Sequence, residues 1–177
     1  MNKLQWIRIL ILFVLALGLT ACYREPNYIE KPEWRSFTSQ QKELLWKIQA
    51  SGIQIIKQGM YFTFIIPTDC FFTKDARELK PRREIDLDRL AQFLNRYATY
   101  FAHPKITING YTDKVWLAPA RNLLSLHYAE TIATYLREDG LDSKIVLVVG
   151  NGAKHPVGSN NYPMGASFNR RVVVTIP

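Results

Sequence analysis

The chain has 177 residues, a formal net charge of +8 and two cysteines. This length is enough for one ordinary domain with its own core, and two cysteines exclude a disulfide-rich scaffold. The positive charge suits anionic surroundings such as lipid headgroups or cell-wall polymer. It does not single out nucleic acid as a partner, since the sequence has no stacked-aromatic RNA-binding motif.

The first 22 residues, MNKLQWIRILILFVLALGLTAC, have the pattern of an export signal. Lys3 and Arg8 form a positively charged beginning, and the apolar run that follows extends over 9–21. That run has 13 residues, whereas a membrane-spanning helix needs about 20. We therefore predict a signal peptide over 1–21.

The end of this signal, Leu-Thr-Ala-Cys at 19–22, resembles the lipobox of bacterial lipoproteins. In that family the cysteine sulfur takes a diacylglycerol, the signal is cleaved and the new amine is acylated. The resemblance implies that Cys22 is the lipidation site, and several acyl chains hold a protein firmly to a membrane. Tyr23, where an inner-membrane lipoprotein has Asp, implies an outer-membrane anchor with the domain in the periplasm. The alternative is a chance cysteine after an ordinary signal.

A linker and a helical extension are predicted before the domain. Residues 22–37 contain two prolines and no hydrophobic period, so we predict a lipidated N-terminus and an extended linker there. A helical extension is predicted over 38–52, with a cap at Thr38 or Ser39. Cys70 stands next to two phenylalanines, which favours a buried, inert thiol.

The remaining chain, 53–177, alternates strands and helices. The pattern predicts, in chain order, a hairpin with strands at 53–57 and 60–66, a loop at 68–84, a helix from 86 to about 103, a strand at 105–110, a helix at 119–138, a buried strand at 144–150, a long Gly/Asn/Pro loop and a strand at 170–176. This order predicts an α+β fold in which a mixed β-sheet has helices packed on one face, preceded by the short helix.

An ordered set of motifs from about 62 to 176 resembles the OmpA-like, peptidoglycan-associated domain. The motifs are Ile66-Pro67, Asp69, Phe72, ELKP at 78–81, LDRLAQFL at 87–94, NGYTD at 109–113, Leu-Ser at 124–125, Ala129, Tyr-Leu at 135–136, Gly-Leu at 140–141 and Asn-Arg-Arg-Val at 169–172. Each piece is weak alone, but their order is specific. The resemblance implies an OmpA-like domain over 53–177.

By resemblance, such a domain binds peptidoglycan through diaminopimelate, whose far end has one ammonium and one carboxylate. A pocket for that group needs an acid and an arginine, because a guanidinium meets a carboxylate in two parallel hydrogen bonds. Asp113 stands at the position of the family's acid, which implies that it accepts from the ligand ammonium. A local alternative is that Asp113 caps its own loop or the next helix.

Two departures from the family pattern affect this pocket. Tyr128 stands fifteen residues after Asp113, where the family has arginine, and a neutral tyrosine predicts a weakened pocket. Arg121, two helical turns before Tyr128, and Arg170 are candidate replacements for the missing cation. The alternatives are an exposed helix-start residue and a solvated strand end. Trp116 stands where the family has glycine, in an apolar loop, and is a candidate for a protein interface or for packing onto its own domain.

The sequence shows no catalytic arrangement. His103, His127 and His155 have no metal-ligand spacing, and no nucleophile elbow or phosphate loop follows a strand. We therefore predict a protein that is not an enzyme and that uses no cofactor or metal.

Two functional hypotheses follow. The overall plan resembles the OmpA-like lipoproteins of type IVB (Dot/Icm) secretion systems. That resemblance implies a structural subunit of an outer-membrane core complex, which has other secretion subunits as partners and also anchors the complex to peptidoglycan. The alternative is a stand-alone, Pal-like tether between the outer membrane and peptidoglycan.

Overall fold

A computed structural model describes residues 37–73, 78–115 and 117–177. The predicted signal peptide, Cys22 and the linker up to residue 36 lie outside the described residues, as does Trp116. Within the described ranges, no helix is both long enough and apolar enough to cross a membrane.

The first helix, α1 (Ser39–Ala50), begins at a capping box. The Gln41 amide donates to the Thr38 hydroxyl at 3.2 Å, and the Thr38 amide donates to the Gln41 side-chain oxygen at 2.9 Å. Each residue thus satisfies a backbone group of the other that has no partner within the helix. Gly52, with φ of 96°, follows the helix in the left-handed region that glycine adopts without strain.

Strands and helices follow in alternation. Their bounds are β1 (Gln54–Gln58), β2 (Tyr61–Pro67), α2 (Thr68–Phe71), α3 (Glu84–Ala98), β3 (Ile106–Tyr111), α4 (Ala118–Glu138), a 3₁₀ turn (Ser143–Ile145), β4 (Val146–Gly150), α5 (Pro163–Asn169) and β5 (Arg171–Ile176). The predicted long elements are present, and their ends lie within two residues of the predictions with one exception. The helix predicted to end at about 103 is α3, which ends at Ala98, because the amides of Tyr100 and Phe101 bond to carbonyls only three residues back and form turns.

The strands form one sheet in the order β1-β2-β5-β3-β4. The pairs β1–β2, β2–β5 and β5–β3 are antiparallel, whereas β3 and β4 are parallel. Alternate residues of β2, Phe62, Phe64 and Ile66, are buried, while the residues between them are half-buried. The predicted α+β fold with a mixed sheet is confirmed.

An aromatic cluster forms the centre of the core on the helical side. The Phe62 ring lies 5.0 Å from the rings of Phe93 and Tyr97, and Phe37 packs against all three at 6.1 to 6.4 Å. The Tyr97 hydroxyl donates to the Met60 carbonyl at 2.7 Å, and burial raises the Tyr97 pKa. The first described residue is therefore part of the domain core.

The structure differs from the predictions at three places. The predicted loop at 68–84 begins with α2, whose buried side chains are Thr68 and Phe71; Cys70 lies on the other side of this single turn and is exposed, not buried. The prediction of a fully buried strand at 144–150 is wrong, because β4 is an edge strand with Leu147 exposed.

The third difference is α5, which lies within the predicted Gly/Asn/Pro loop. Pro163 stands in its first turn, where the fixed φ of proline favours a helix start.

Candidate functional site

The C-terminal ends of β2 and β3 and the start of β5 lie side by side at one edge of the sheet. In the register of the sheet, Arg171 at the start of β5 is opposite Pro67 at the end of β2. On its other side Arg171 is opposite Tyr111 at the end of β3. The residues just beyond these ends are therefore brought together, although they are far apart in sequence.

An ion-pair cluster of Asp69, Asp113 and Arg170 occupies this edge. The Arg170 Nε and Nη2 donate to the two oxygens of Asp69 at 2.8 and 2.6 Å, and Nη1 donates to Asp113 Oδ2 at 2.5 Å. The hydrogen bonds to Asp69, followed by those to Asp113, raise the pKa of Arg170. One guanidinium between two carboxylates leaves a net charge of −1 at the site.

Asp113 caps its own loop, as the local alternative predicted, and also pairs with Arg170. Its Oδ1 accepts from the Val115 amide at 3.0 Å, so it caps its own loop, while its Oδ2 pairs with Arg170. Asp113 is buried, whereas the side chain of Asp69 is 46% exposed. Asp69 is thus the carboxylate of the cluster that solvent reaches more easily.

Tyr128 packs into the core beside the cluster. It is buried, and its ring lies 4.7 Å from the Phe72 ring in an edge-on arrangement. Burial raises the pKa of Tyr128, a hydrogen bond with the Thr68 side chain opposes that rise, and the charge of Asp69 adds to it. Tyr128 is therefore next to the cluster, but it belongs to the core.

Arg121 contacts the backbone of the loop that follows Asp113. Its Nη1 donates to the Lys114 carbonyl at 3.3 Å. Across the ranges that the structure describes, Arg121 forms no ion pair with Asp69 or Asp113. Of the four candidate pocket residues, the structure brings Asp113, Tyr128 and Arg170 together and leaves Arg121 as a loop contact.

Asn169 holds the neighbouring loop, a role that the sequence reading missed. It is buried, and its Oδ1 accepts from the amides of Val157 and Gly158 at 2.7 and 3.0 Å. Its Nδ2 donates to Asn160 Oδ1 at 3.1 Å, and that oxygen also accepts from the Lys114 amide at 3.2 Å. The two loops are thus joined. The family motif Asn-Arg-Arg begins at Asn169, but the motif does not reveal which groups this side chain contacts.

Close packing of a strand and a helix fixes the position of the Asp113 loop. A Cβ at Gly110 would lie 1.8 Å from the Ser125 carbonyl oxygen of α4, so only glycine fits there. The Ser125 hydroxyl accepts from the Gly152 amide at 2.8 Å, and the Thr112 backbone amide donates to the Gly152 carbonyl at 2.8 Å.

The loop after Asp113 exposes large apolar side chains. Val115 is 76% exposed and Leu117 is 82% exposed. Trp116 between them is outside the described residues, so its predicted interface role stays a prediction. The described ranges contain no group of three His, Cys, Asp or Glu placed to hold a metal ion.

Comparisons with known proteins place this architecture. Residues 71–170 match the OmpA family. The chain is 28% identical over 139 residues to the probable lipoprotein YiaD of Escherichia coli, a match that covers 77% of this chain and 61% of that protein. It is also 28% identical over 168 residues to the outer-membrane lipoprotein YfiB of Pseudomonas aeruginosa, covering 95% of this chain and 91% of that protein.

A third relative is the peptidoglycan-binding protein ArfA of Mycobacterium tuberculosis, 32% identical over 105 residues, which are 59% of this chain and 31% of that protein. Among solved structures, the cell wall anchor of the type VI secretion system of Pseudomonas aeruginosa has a TM-score of 0.67 at 21% identity, covering 83% of this chain and 98% of that chain. This likeness shows the same fold. The match to the family profile spans more than half of the sequence, and the chain belongs to the OmpA family.

Proposed function

We propose that this protein is a lipid-anchored protein of the outer membrane whose OmpA-like domain binds peptidoglycan at Asp69, Asp113 and Arg170. The carrying observation is the ion-pair cluster itself, which places both charge types needed for a zwitterion at one sheet edge. The relatives support the proposal: YiaD and YfiB are named as lipoproteins, and ArfA is named as peptidoglycan-binding.

The cluster has capacity left for such a ligand. A guanidinium has five N–H groups, and Arg170 uses three of them on the two aspartates. The other two are available to a ligand carboxylate. Each carboxylate oxygen accepts more than one hydrogen bond, so the partly exposed Asp69 can also accept from a ligand ammonium. The ligand therefore adds to the cluster and need not break it.

The internal pairing also implies modest affinity. Arg170 shares its charge with two carboxylates, so its attraction for a third is reduced. Tyr128 supplies no charge at the position where the family has arginine. Charge-assisted hydrogen bonds contribute about 1.5–3 kcal/mol against about 1 for neutral ones. We expect peptidoglycan binding at least about tenfold weaker than in relatives that have arginine at the positions of both Tyr128 and Arg170.

The anchor is proposed at Cys22, where the lipobox-like sequence ends. Phe37, the first described residue, lies 15 residues after Cys22. A fully extended chain spans roughly 3.3–3.6 Å per residue, so a segment of this length has a maximum reach of about 50 Å. That reach would allow the domain to meet a polymer layer that is not in contact with the membrane.

Sedimentation with purified sacculi tests the binding site. The neutral variants Asp69→Asn and Asp113→Asn keep the size of the side chain and remove one acceptor charge each. We expect both to lose most of the bound fraction. The control is Glu43→Gln on α1, an exposed acid paired only with Lys47, which should bind as the wild type does. Unchanged binding by both aspartate variants would exclude this site.

A second candidate function is that of a structural subunit of a type IVB (Dot/Icm) outer-membrane core complex, with other secretion subunits as partners. The exposed Val115 and Leu117 favour it, since exposed apolar patches mark partner surfaces. Leu117→Ser should then deplete the protein from the purified complex without lowering its melting temperature, since Leu117 is the N-cap of α4 and serine is favoured there. Ile85→Ser, which alters an exposed apolar residue on α3, is the control. Equal depletion by both variants would count against a specific interface at the loop.

A further inference from the structure

A second feature lies on the face of the sheet opposite α3 and α4, beside the ion-pair cluster, with which it shares Arg170. It is a groove of about 290 Å³ next to α5. Ile65 and Pro67 of β2 form one apolar side, and Val157 and Phe168 are also part of the lining. Val157 and Phe168 are both more than half exposed, so the groove opens onto an apolar surface.

Arg171 also lines this groove, and its charge has no acidic partner. It is only 7% exposed. Its guanidinium donates to the carbonyls of Asn169 and His155 at 3.2 and 3.0 Å and lies 4.1 Å from the centre of the Tyr111 ring. In the described part of the chain no carboxylate pairs with it. Burial lowers the pKa of Arg171, and Tyr111 opposes that change.

A desolvated cation without an anion is unfavourable, because two neutral carbonyls and an aromatic face replace only part of its hydration. Two of the five N–H groups of Arg171 are used by carbonyls, so donors remain for an incoming group. The neighbouring Arg170 also lines the groove, but two carboxylates, Asp69 and Asp113, already balance its charge, so it attracts an anion less strongly than Arg171 does. Charge complementarity at the groove therefore calls for an anion at Arg171.

We propose that this groove binds a polypeptide segment of a partner protein in which an acidic side chain stands next to a large apolar one. The carboxylate pairs with Arg171, and the apolar side chain lies between Val157 and Phe168. The volume fits one or two side chains and is small for a whole ligand, since drug-sized sites have about 300–1,000 Å³. The exposed Ile56 lies on the same face of the sheet, diagonally across from Ile65, and offers a further apolar contact to a partner that extends beyond the groove.

Two matched peptides test the proposal on the full chain, isotopically labelled and held in detergent micelles. The probe is N-acetylated, C-amidated Gly-Ser-Phe-Glu-Gly-Ser, and its twin has Gln in place of Glu. We expect the Glu peptide to shift the NMR amide signals of Ile65, Val157 and Phe168, and the Gln twin to bind at least about fivefold more weakly. Equal binding of the two peptides, no binding, or shifts confined to the Asp113 loop would each overturn the proposal.

Surface variants locate the contact without disturbing the buried arginine. Phe168→Ala should weaken the Glu peptide severalfold, whereas Met164→Ala, an exposed apolar change on the same helix outside the groove lining, should not. Val157→Asp places a competing carboxylate in the groove and should abolish binding, while its neutral twin Val157→Asn should retain part of it. If Phe168→Ala binds as the wild type does, or if the two Val157 variants behave alike, the groove is not the site.

Discussion

Arg170 Nη1 lies 2.5 Å from Asp113 Oδ2, across a separation of 57 residues. Arg170 directly precedes β5 and Asp113 follows β3, so this ion pair joins the ends of two neighbouring strands on the edge where the site lies. The Asp113 side chain is 6% exposed, whereas that of Arg170 is 29% exposed. The aspartate therefore depends on the arginine for compensation of a mostly buried charge.

Removing that arginine should destabilise the fold. Arg170→Met keeps the length of the side chain and leaves the Asp113 carboxylate without its cation, so we expect a loss of about 1–3 kcal/mol in the free energy of unfolding. Urea unfolding measures this. Arg121→Met, which removes one hydrogen bond to a carbonyl on the surface, should change stability by no more than about 0.5 kcal/mol. Equal losses in both variants would show that the ion pair contributes nothing specific.

Restoring the family's arginine should strengthen peptidoglycan binding at a cost in stability. Tyr128→Arg places a second cation beside two carboxylates and Arg170, and we expect severalfold tighter sedimentation with sacculi. It also removes a buried ring that packs on Phe72, so the melting temperature should fall. Tyr128→Phe keeps the ring and adds no charge, and it should leave binding unchanged. Wild-type binding as tight as that of the arginine variant would contradict a weakened pocket.

Alanine substitutions at Gly110 and Gly52 distinguish a steric clash from backbone strain. At Gly110 a Cβ would lie 1.8 Å from the Ser125 carbonyl oxygen, whereas at Gly52 it meets nothing within 4 Å but has φ of 96°. Gly52→Ala should therefore cost only the left-handed conformation, about 1–2 kcal/mol. Gly110→Ala must also push β3 away from α4, so its loss in the free energy of unfolding should be clearly larger. Thermal or urea unfolding of both variants gives the comparison, and similar losses would contradict close packing at Gly110.

Asp139, just after α4, should make stability depend on pH. Asp139 is exposed, but partial desolvation of its carboxyl group, followed by a hydrogen bond with Asp88, raises its pKa from 3.8 to about 6. The folded protein thus holds a proton between about pH 4 and 6 that the unfolded chain releases, and stability falls as pH rises through this window. Asp139→Asn should remove this dependence and raise the melting temperature at pH 7.5, with little change at pH 4. It also removes a negative charge from a helix C-terminus, which acts in the same direction.

The Asp88 partner provides the check on that interpretation. Asp88→Asn removes the negative charge that acts on Asp139. The double variant should therefore gain little in melting temperature over either single variant. Fully additive gains in melting temperature at pH 7.5 would show that the two carboxyl groups do not act on each other.

The anchor prediction concerns a residue outside the described part of the chain. Cys22→Ser should abolish labelling with a fatty-acid analogue, since the sulfur that takes the diacylglycerol is missing. The expected product is an unprocessed or soluble precursor. Label that persists on the serine variant would exclude Cys22 as the lipidation site.

The sequence predicted the long elements because their signals are local. Leu87, Leu90 and Phe93 recur at helical spacing in α3, and alternation along β2 marks its buried face. The pairing of Arg170 with its aspartates has no such signal. It joins residues 57 and 101 positions apart and depends on the register of three strands. For this reason the sequence identified Asp113 and Arg170 as site candidates without showing that they bind each other, and it presented Asp69 only as part of the family motif.

The two short helices were missed for a different reason. In α5, glycine, asparagine and proline are typical of a loop, and the helix forms where Pro163 opens it and Asn169 ties its end to the 157–160 segment. The side-chain contacts of Asn169 are tertiary, so composition alone does not reveal them. In α2 a single turn buries Thr68 and Phe71 and turns Cys70 outward, which is too short a segment for a period to be recognised.

The position of Phe37 determines how the domain responds to mechanical load. The Phe37 ring packs against Phe62, Phe93 and Tyr97. Helix α1, which begins just after Phe37, packs against α3. A force pulling on the chain before residue 37 would act first on this aromatic contact, and only then on the hydrogen bonds of the sheet. In a single-molecule pulling experiment from the N-terminus, we expect detachment of Phe37 and α1 as an early, separate extension event. The strands that position Asp113 and Arg170 would remain paired during that first step.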